Sequence, residues 1–589
     1  MLLNLNTFSG VMPRINDQQL PVGAAVEASD FKTDSACIEP YKTPGAEVTT
    51  MTGCRTLVVW PTSEDRVWPP GNDDAFLCWD KHIDYCNGVA QGYDRIIYTG
   101  DEYPKIADPT VLPLAPKKLG AEPPATAPSA ADGNSGWVIS PRTDGVDGLA
   151  YTQIFIATPH TYETGVYADN PLTSVSYCYT YVDDLGQESA PSPPSQVYDV
   201  SGFTGGQGIQ LTGFYPSDPT NNTVPTKRIY RATAGTSDAE FLYIGDSAGG
   251  DTTFDDYDSS TGTFRNAVEA IQTTGWRPPP HDLTGLVGMA GGVLAGYRSD
   301  SNEICFSEPL IQYAWPEKYR LTMPQPVLGI ASLGEELVVF MASILMAVRG
   351  EPGYMTVSEI YGGKGTPCLT GRGVVKMESG LLYPGHDGLY LYNGSSCLNI
   401  TASSMNTMQW RCLLPDKFLA IYHDGRYWAF REASDKALAI DISNGSVIEM
   451  ALGNLSPVSG LHVDYHGRFW ILSADKAYPW SEGEDSRVAV WKSGLLTFAY
   501  PVNLSSAIIT SDSPTTEKAV QLEIWSHYKG IKTLVFDSLA MGVTVPLNKP
   551  FRLPGGFLTT SVQVKLRTKV TVRDMRFATS MSELAGAVA

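Results

Sequence analysis

Aspartates placed at tight turns are the residues of this chain that could do chemistry. Asp300, Asp387, Asp424 and Asp464 all lie at or near predicted turns in its second half. Two carboxylates at a defined separation are enough to hydrolyse a glycosidic bond, which raises the hypothesis of a sugar-cleaving enzyme. Asp is also a preferred turn residue, because its side chain bonds to nearby backbone and tolerates left-handed conformations. We interpret all four as turn residues.

Three histidines recur in the same local context, close to a turn glycine. They are His386, His423 and His466. Such a recurrence could indicate a metal site or a proton relay. Equivalent positions on separate repeats lie far apart around a ring, however, so they cannot converge on one ion. We therefore predict a structural role for each of them.

A group of acidic residues resembles half of a calcium loop; its members are Asp251, Asp255, Asp256 and Asp258. Counted from Asp256, Thr261 stands where the invariant glycine belongs and Ala267 where the bidentate Glu belongs. The chain also contains no Gly-x-Ser-x-Gly elbow, no His-Glu-x-x-His and no phosphate-binding glycine loop with Lys. We predict no catalytic, cofactor-binding or metal-binding residue, and no enzyme.

The elements that carry these turns repeat along the second half of the chain. A hydrophobic segment reaches a glycine and an often aromatic segment leaves it, at Gly291, Gly334, Gly380, Gly425 and Gly467. The separation of these glycines is about 42 to 46 residues, the period of a four-stranded propeller blade. The sequence therefore predicts a β-propeller, a scaffold that does not by itself imply a function.

Composition sets bounds on the class of protein. The 589 residues carry a formal net charge of −21, which argues against a protein that grips nucleic acid phosphates. The 9 cysteines are scattered and form no Cys-x-x-Cys pair, so we expect reduced thiols in a protein made in a cytoplasm. The start of the chain lacks signal-peptide features, and the longest apolar run, 337–348, is too short to span a bilayer. We interpret that run as two buried strands of one blade.

The predicted fold class is all-β, with three kinds of β region and five segments. Residues 1–103 form a wrapping arm plus strands that complete the propeller, and residues 104–149 form a Pro/Ala-rich linker. Residues 150–275 form a fibronectin type III-like sandwich, because 175–182 alternates strongly and further strands follow at regular intervals. Residues 276–495 hold the propeller blades, and residues 496–589 form a C-terminal antiparallel β region with a weak helical pattern at 581–587.

Several short motifs resemble tail proteins of short-tailed bacteriophages. The first is Phe8-Ser9-Gly10-Val11-Met12-Pro13-Arg14, followed by an Ala-rich stretch at 20–28 and a Pro-containing strand at 38–41. The second is Tyr98-Thr99-Gly100-Asp101 before Pro104, and the third is the ending at 577–584. Glu102 and Tyr103 depart from the pattern, which has small residues there.

This resemblance implies a tail nozzle or tail hub subunit of a podovirus-like virion, assembled in the host cytoplasm. Such proteins form a homo-oligomeric ring, usually hexameric, below the adaptor and portal, and tail fibres are further partners. They retain the genome and then conduct it during ejection. An acidic lumen would repel DNA phosphates and let the duplex pass without lodging. We therefore expect a net acidic excess on the lumen loops.

Two other functions remain open. The first is a tail-associated propeller adhesin or polysaccharide depolymerase that acts on host surface glycans. A depolymerase would require two carboxylates facing each other in an open axial pocket. The second is an attachment protein on the side of the tail that docks fibres through the sandwich, as a monomer or trimer.

Overall fold

A computed structural model describes most of the chain. It covers residues 2–34, 36–60, 75–87, 95–109, 114–132, 140–141, 173–200, 209–214, 226–234, 240–258, 264–360, 367–432, 434–512 and 520–585. Contacts between residues divide the chain into two units. Unit 1 comprises Met1–Ile83, Gln325–Gly350 and Met355–Ala589, and unit 2 comprises Asp84–Pro324 and Glu351–Tyr354.

The strands that precede the repeats are short. In chain order they are β1 (Leu2–Leu5), β2 (Ala25–Ser29), β3 (Phe31–Lys32), β4 (Glu39–Pro40), β5 (Val48–Thr49), β6 (Thr56–Trp60), β7 (Ala75–Trp79), β8 (Asp84–Asn87), β9 (Ile96–Thr99), β10 (Lys105–Ala107), β11 (Lys117–Lys118), β12 (Ser129–Asp132), β13 (Ser140–Pro141), β14 (Thr173–Val182), β15 (Tyr198–Val200), β16 (Ile209–Thr212), β17 (Thr226–Ala234), β18 (Leu242–Ala248) and β19 (Phe254–Asp256).

The strands of the glycine-turn repeats follow. They are β20 (Leu283–Gly288), β21 (Leu294–Arg298), β22 (Glu303–Phe306), β23 (Leu321–Thr322), β24 (Val327–Leu333), β25 (Glu336–Met341), β26 (Leu345–Arg349), β27 (Thr356–Glu359), β28 (Val375–Met377), β29 (Gly380–Pro384), β30 (Leu389–Tyr392), β31 (Cys397–Asn399), β32 (Phe418–His423), β33 (Arg426–Arg431), β34 (Lys436–Asp441), β35 (Val447–Ala451), β36 (Val458–Val463), β37 (Phe469–Ser473) and β38 (Lys476–Pro479).

The last part of the chain is also almost all strand. It contains β39 (Ala489–Ser493), β40 (Leu496–Val502), β41 (Ser506–Ser511), β42 (Val520–Tyr528), β43 (Ile531–Asp537), β44 (Phe551–Arg552), β45 (Thr559–Thr568) and β46 (Val572–Ala578). Two short α-helices occur, α1 (Thr407–Cys412) and α2 (Met581–Ala585). Helix α2 lies where the helical pattern was predicted. Helix α1 was not predicted and begins with a capping box between Asn406 and Gln409.

The glycine-turn repeats fold as antiparallel propeller blades, which confirms the predicted fold class. In unit 1, β24–β27 and β28–β31 are four-stranded sheets, and β32–β35 pair in the same way at the start of a larger sheet. Each predicted glycine turn joins the first two strands of its sheet. Asp424 and Gly425 both have positive φ, 48° and 70°, as a type I′ hairpin turn requires. The run 337–348 supplies two adjacent buried strands, β25 and β26, as predicted.

Strands from the beginning of the chain complete the last repeat of unit 1. Strand β5 pairs antiparallel with β38 and forms the outer strand of the sheet β36–β38. The hairpin β6–β7 packs against β36 of that sheet, where the backbone N–H of Val59 donates to His462 Nε2 at 3.2 Å. A propeller sheet is thereby closed by strands more than 400 residues apart in sequence.

The N-terminal arm is a core element and not a surface wrapping, which corrects the expectation for residues 1–53. Leu5, Phe8, Phe31, Ile38 and Tyr41 are all buried in the same hydrophobic core as the last blades and the C-terminal strands. The reason is strand pairing at both ends of the chain. Strand β1 pairs with β46, and β2 joins the outer blade strand β35 to β39.

The C-terminal region is antiparallel, as predicted, but it is continuous with a propeller blade. One ten-stranded sheet runs in the order β32-β33-β34-β35-β2-β39-β45-β42-β43, with β40 paired to β45. A second sheet has the order β1-β46-β41-β44. The predicted boundary at residue 496 therefore does not coincide with a break in the structure.

In unit 2, two four-stranded sheets contact each other, β8–β11 and β20–β23. The backbone N–H of Gly285 donates to Asp84 Oδ2 at 3.1 Å between them. The predicted linker begins inside the first of these sheets. Ile106 and Leu119 belong to the core that the two sheets share. The linker interpretation is therefore wrong for residues 105–109 and 114–119, because Pro109 and Pro116 lie between strands and leave the apolar side chains free to pack.

Unit 2 also contains the predicted sandwich. A three-stranded sheet, β12-β16-β19, and a five-stranded sheet, β13-β15-β14-β17-β18, enclose one core. The alternating segment 175–182 forms most of β14, with the aromatic rings of Tyr177, Tyr179 and Tyr181 in that core. The whole segment 150–172 lies outside the described residues. The prediction separated the sandwich from the first repeat sheet at residue 276, whereas residue contacts place both in unit 2.

Candidate functional site: a basic pocket at the start of the inner blade strands

The four candidate aspartates lie at or beside turns. Asp464 is buried and accepts hydrogen bonds from the backbone N–H groups of His466 and Arg468 at 3.0 and 2.9 Å and from Trp470 Nε1 at 2.9 Å. Asp387 accepts from the Tyr390 hydroxyl at 2.8 Å. Asp300 lies in an exposed turn and accepts from the Ser299 hydroxyl at 3.2 Å. With Asp424 in the left-handed hairpin position, the interpretation as turn residues is confirmed.

The three recurring histidines lie on three different sheets. His423 is the most enclosed of them, and burial lowers its pKa against the opposing influence of Asp424. Its ring lies 5.3 Å from that of Phe469 on the neighbouring sheet. Within the described ranges, no group of three or more His, Cys, Asp or Glu side chains is placed to hold a metal ion.

The acidic group 251–258 does not converge on a common point. Asp256 is fully buried and pairs with Arg231, whose Nη1 lies 2.7 Å from Oδ2. Asp251 instead accepts from the Ser247 hydroxyl at 3.0 Å, and Asp255 accepts from Gln210 Nε2 at 3.0 Å. Each carboxylate therefore satisfies a local structural need in the sandwich.

A fourth histidine, His462, has a pKa that burial lowers far from its usual value. It lies on β36, is 6% exposed, and accepts the Val59 N–H through Nε2. Burial lowers its pKa to about 4, although Asp464 opposes the shift. The neutral form is therefore the folded form, and it joins β36 to β6. Sequence reasoning missed this residue because it lies inside a strand and not at a turn.

Acidification is expected to destabilise the protein through His462. An unfolded histidine titrates near pH 6.5, so between that value and about 4 the unfolded state binds more protons, and stability falls as the pH falls through this window. The full shift of this pKa corresponds to about 3 kcal/mol in the free energy of unfolding. In His462→Gln, the amide oxygen can accept from Val59 without titrating, so the loss of urea stability between pH 7 and pH 4.5 should be smaller. The exposed His386→Gln variant is the matched control and should behave as wild type.

Several positively charged side chains surround a cavity of unit 1 where blade strands begin. A pocket of about 350 Å³ is lined there by Arg55, His82, Arg372, Lys417 and Arg431, together with Asp416 and Glu432. We call this site the basic pocket. Its four permanent cations outnumber its two carboxylates, in a chain whose net charge is −21.

The blade architecture explains why these side chains meet. Arg55 immediately precedes β6, Lys417 immediately precedes β32, and Arg372 lies in a 3-10 turn just before β28. The pocket also contains Val458, the first residue of β36. Strand β28 contacts β32, β32 contacts β36, and β36 contacts β6, so the pocket lies where the starts of these neighbouring strands meet.

Close packing fixes the backbone around the pocket. A side chain at Gly460 would meet the Arg55 carbonyl oxygen at 2.2 Å, and one at Gly371 would meet the Leu328 carbonyl oxygen at 2.0 Å. The Tyr427 hydroxyl donates to the Gly373 carbonyl at 2.8 Å. These contacts hold the starts of adjacent inner strands at fixed separations. The pocket is therefore bounded by blade backbone and not by long loops.

Two guanidiniums of the pocket, those of Arg55 and Arg431, have little neutralisation by carboxylates among the described residues. Arg55 Nη2 lies 4.0 Å from Glu432 Oε1, and the Glu432 side chain is 83% exposed. Arg431 donates to two neutral oxygens, the Leu413 carbonyl at 3.4 Å and the Ser434 hydroxyl at 3.2 Å. These two side chains therefore leave positive charge at the pocket.

Sequence reasoning did not identify the basic pocket. One signal was present: Arg55 and Lys417 stand directly before the first residue of an inner strand, and Arg372 stands three residues before one. A search of the repeats for charge at a common position would have found this pattern. The order of the blades in space was still needed to show that these positions share one cavity.

Comparisons with known proteins agree with the fold and go no further. No family model and no curated protein matches the chain. Among solved structures, the Pan2 WD40 domain of Neurospora crassa is 8% identical, with 44% of this chain and 87% of that chain covered and a TM-score of 0.25. The WD40 β-propeller domain of Doa1 is 11% identical, with 47% and 90% covered and a TM-score of 0.24. A virginiamycin B lyase from Staphylococcus aureus is 9% identical, with 68% and 99% covered and a TM-score of 0.26.

No helix among the described residues has both the length and the apolar character needed to cross a membrane.

Proposed function

We propose that this chain is a structural subunit of the tail nozzle of a short-tailed bacteriophage, acting as part of a ring that conducts the genome. The observation that carries the proposal is an exposed apolar surface at the free edge of the ten-stranded sheet. It comprises the hairpin β42–β43 and the turn that follows, residues 520–543, here called the C-terminal hairpin. Five large apolar side chains are exposed in it: Ile531 67%, Leu534 40%, Leu539 65%, Met541 50% and Val543 45%.

The edge of this hairpin is open to strand addition. Among the described residues β43 pairs with β42 alone, so its other side offers unpaired backbone groups. An edge lysine usually blocks such pairing. Lys532 instead lies over the Trp525 ring at 4.9 Å and donates to Gln563 Oε1 at 3.0 Å, so its charge is held on the face of the sheet.

A second edge of unit 1 that has no pairing among the described residues makes the proposed partner another copy of this chain. Strand β27 ends the sheet β24–β27, and all four of its side chains are exposed, with Val357 and Glu359 among them. Lys529 in the β42–β43 turn complements Glu359 in charge. Contact between two different surfaces of the same chain generates a closed ring when the rotation closes.

The residues of the phage resemblance support the proposal through their structural roles. The Gly10 position has no room for a side chain, since a Cβ there would meet the Val447 carbonyl oxygen at 2.6 Å. Pro13 accepts a hydrogen bond from Gln409 Nε2 at 2.8 Å, and the Arg14 side chain donates to the Ala402 carbonyl. The motif thus fixes the arm against the second and third repeats of unit 1, β28–β31 and β32–β35. Such a role suits a rigid scaffold.

Ring formation is testable through the C-terminal hairpin. We expect the purified protein at high concentration to form a closed ring with a central hole, visible by native mass spectrometry and electron microscopy. Burial of one Ile or Leu contributes about 1.5–3 kcal/mol. Ile531→Lys with Leu534→Lys should therefore weaken association by about tenfold or more at each contact.

The matched control is Met408→Lys, which adds the same charge at an apolar side chain that is 70% exposed outside the hairpin. It should assemble as wild type does. A wild-type chain that stays monomeric at every concentration would contradict the proposal. A ring that tolerates both hairpin substitutions would show that its interface lies elsewhere.

A second candidate function is that of a glycan-directed adhesin or depolymerase. The observation in its favour is that Asp416 and Glu432 both line the basic pocket. Cleavage of host polysaccharide by the purified protein, measured as new reducing ends and lost in Glu432→Gln, would favour this function over the nozzle.

A further inference from the structure

The folding of the protein does not by itself explain the positive charge of the basic pocket. Isolated cations in a strongly acidic protein ordinarily pair with the abundant carboxylates. Here Lys417 makes no ion pair among the described residues, and Arg55 reaches Glu432 only at 4.0 Å.

Charge and geometry limit the chemical class of ligand that fits the pocket. Guanidinium groups present several donors in a plane and match the oxygens of phosphate or carboxylate. Three guanidiniums and one ammonium line the pocket, so a dianion gains more electrostatic attraction there than a monoanion does. The volume of about 350 Å³ is at the lower end of the range for small-molecule sites. It suits a group the size of one sugar and is too small for a nucleic acid duplex.

We propose that the basic pocket binds a phosphate-bearing sugar, with the phosphate held by Arg55, Lys417 and the neighbouring guanidiniums. The sugar would occupy the remaining volume beside the polar Ser459 and Thr370 that also line it. Such a unit could reach the protein as a free sugar phosphate or as part of a phosphorylated bacterial surface glycan. The inference stands on the pocket alone and does not require the nozzle function.

The test is calorimetric titration of the full chain with glucose 6-phosphate, inorganic phosphate and glucose. We expect glucose 6-phosphate to bind with one site per chain, inorganic phosphate to bind more weakly, and glucose not to bind. Binding should weaken as salt is added, because partly exposed charges are screened. A phosphorylated glycan fragment, titrated in parallel, distinguishes the two sources by which of the two sugar probes binds more tightly.

Variants tie binding to the pocket. Arg55→Gln with Lys417→Gln removes two exposed cations and should weaken glucose 6-phosphate binding about tenfold or more. The matched control, Arg552→Gln with Lys569→Gln, removes the same charges at exposed positions outside the pocket and should leave binding unchanged. Equal urea midpoints for the two double variants would show that any loss is not one of folding.

Three outcomes would overturn the proposal. One is the absence of saturable glucose 6-phosphate binding. Another is an equal loss of binding in the pocket and control variants, which would indicate a nonspecific response to net charge. The third is inorganic phosphate binding as tightly as glucose 6-phosphate, which would exclude a contribution from the sugar.

Discussion

Asp256→Asn is expected to lower the free energy of unfolding of the sandwich by about 3–5 kcal/mol, the cost of leaving a buried charge without its partner. Asp256 is fully buried and Arg231 is 8% exposed. Both carboxylate oxygens are engaged: Oδ2 accepts from Arg231 Nη1 at 2.7 Å and from the Tyr177 hydroxyl at 2.9 Å, and Oδ1 accepts from the Arg265 N–H at 3.1 Å. An asparagine amide at this position places its own N–H groups against these donors. It also leaves the positive charge of the Arg231 guanidinium without a negative partner.

The effect should be confined to the sandwich. Hydrogen exchange measured by mass spectrometry should show faster exchange in β14 and β17, which carry Tyr177 and Arg231 at paired positions. Asp255→Asn on the same strand is the control, because Asp255 is exposed and its carboxylate accepts only from Gln210 among the described residues. Its effect should stay within about 0.5 kcal/mol.

A double replacement distinguishes a charge effect from a size effect. Arg231→Met with Asp256→Leu removes both charges, and buried ion pairs replaced in this way often lose little stability. We expect the double variant to recover a large part of the loss seen in Asp256→Asn. If the double variant is as unstable as the single one, the ion pair is not the source of the effect.

Trp428→Ala is expected to destabilise unit 1 by about 3–5 kcal/mol, as large-to-small substitutions of buried aromatics do. Trp428 is 0% exposed, and its ring centroid lies 5.6 Å from that of Tyr41 and 5.5 Å from that of Trp480. Its Nε1 donates to the His423 carbonyl at 3.2 Å. The substitution opens a cavity between the N-terminal arm, which carries Tyr41, and two blades.

Urea unfolding followed by circular dichroism measures this loss. Trp428→Phe should cost less than Trp428→Ala, since it keeps a ring in the cluster. The control is Trp525→Ala on β42, where the ring is only half-buried and its loss removes the contact with Lys532. Equal losses at the two positions would contradict a core role for Trp428.

The cluster around Trp428 also explains why the arm cannot be treated as an appendage. Tyr41 contacts both Trp428 and Trp480 through its ring. Burial raises the pKa of the Tyr41 hydroxyl, with Arg426 opposing the shift. Arg426 in turn pairs with Asp34 of the arm. The arm therefore contributes aromatic and ionic contacts to the interior of the last repeats.

The sequence by itself determined the local structure of this protein: the hairpin turns and the strands that flank them. Asp424-Gly425 requires two positive φ angles whatever surrounds it, and Tyr177, Tyr179 and Tyr181 alternate because successive strand residues face opposite sides. The spacing of the turn glycines then predicted blades. All of these signals act over fewer than about fifty residues, within the length of one repeat.

Only the tertiary structure decided which distant segments meet. Nothing local to Leu2–Leu5 indicates that it pairs with Val572–Ala578, or that Ile106 and Leu119 pack into a blade core. Strand pairing is set by complementary edges and shared burial, which depend on the whole fold. The basic pocket follows the same rule. Arg55, Arg372 and Lys417 are separate charges along the chain, and they share a cavity because the strands that follow them are joined by contacts in the fold.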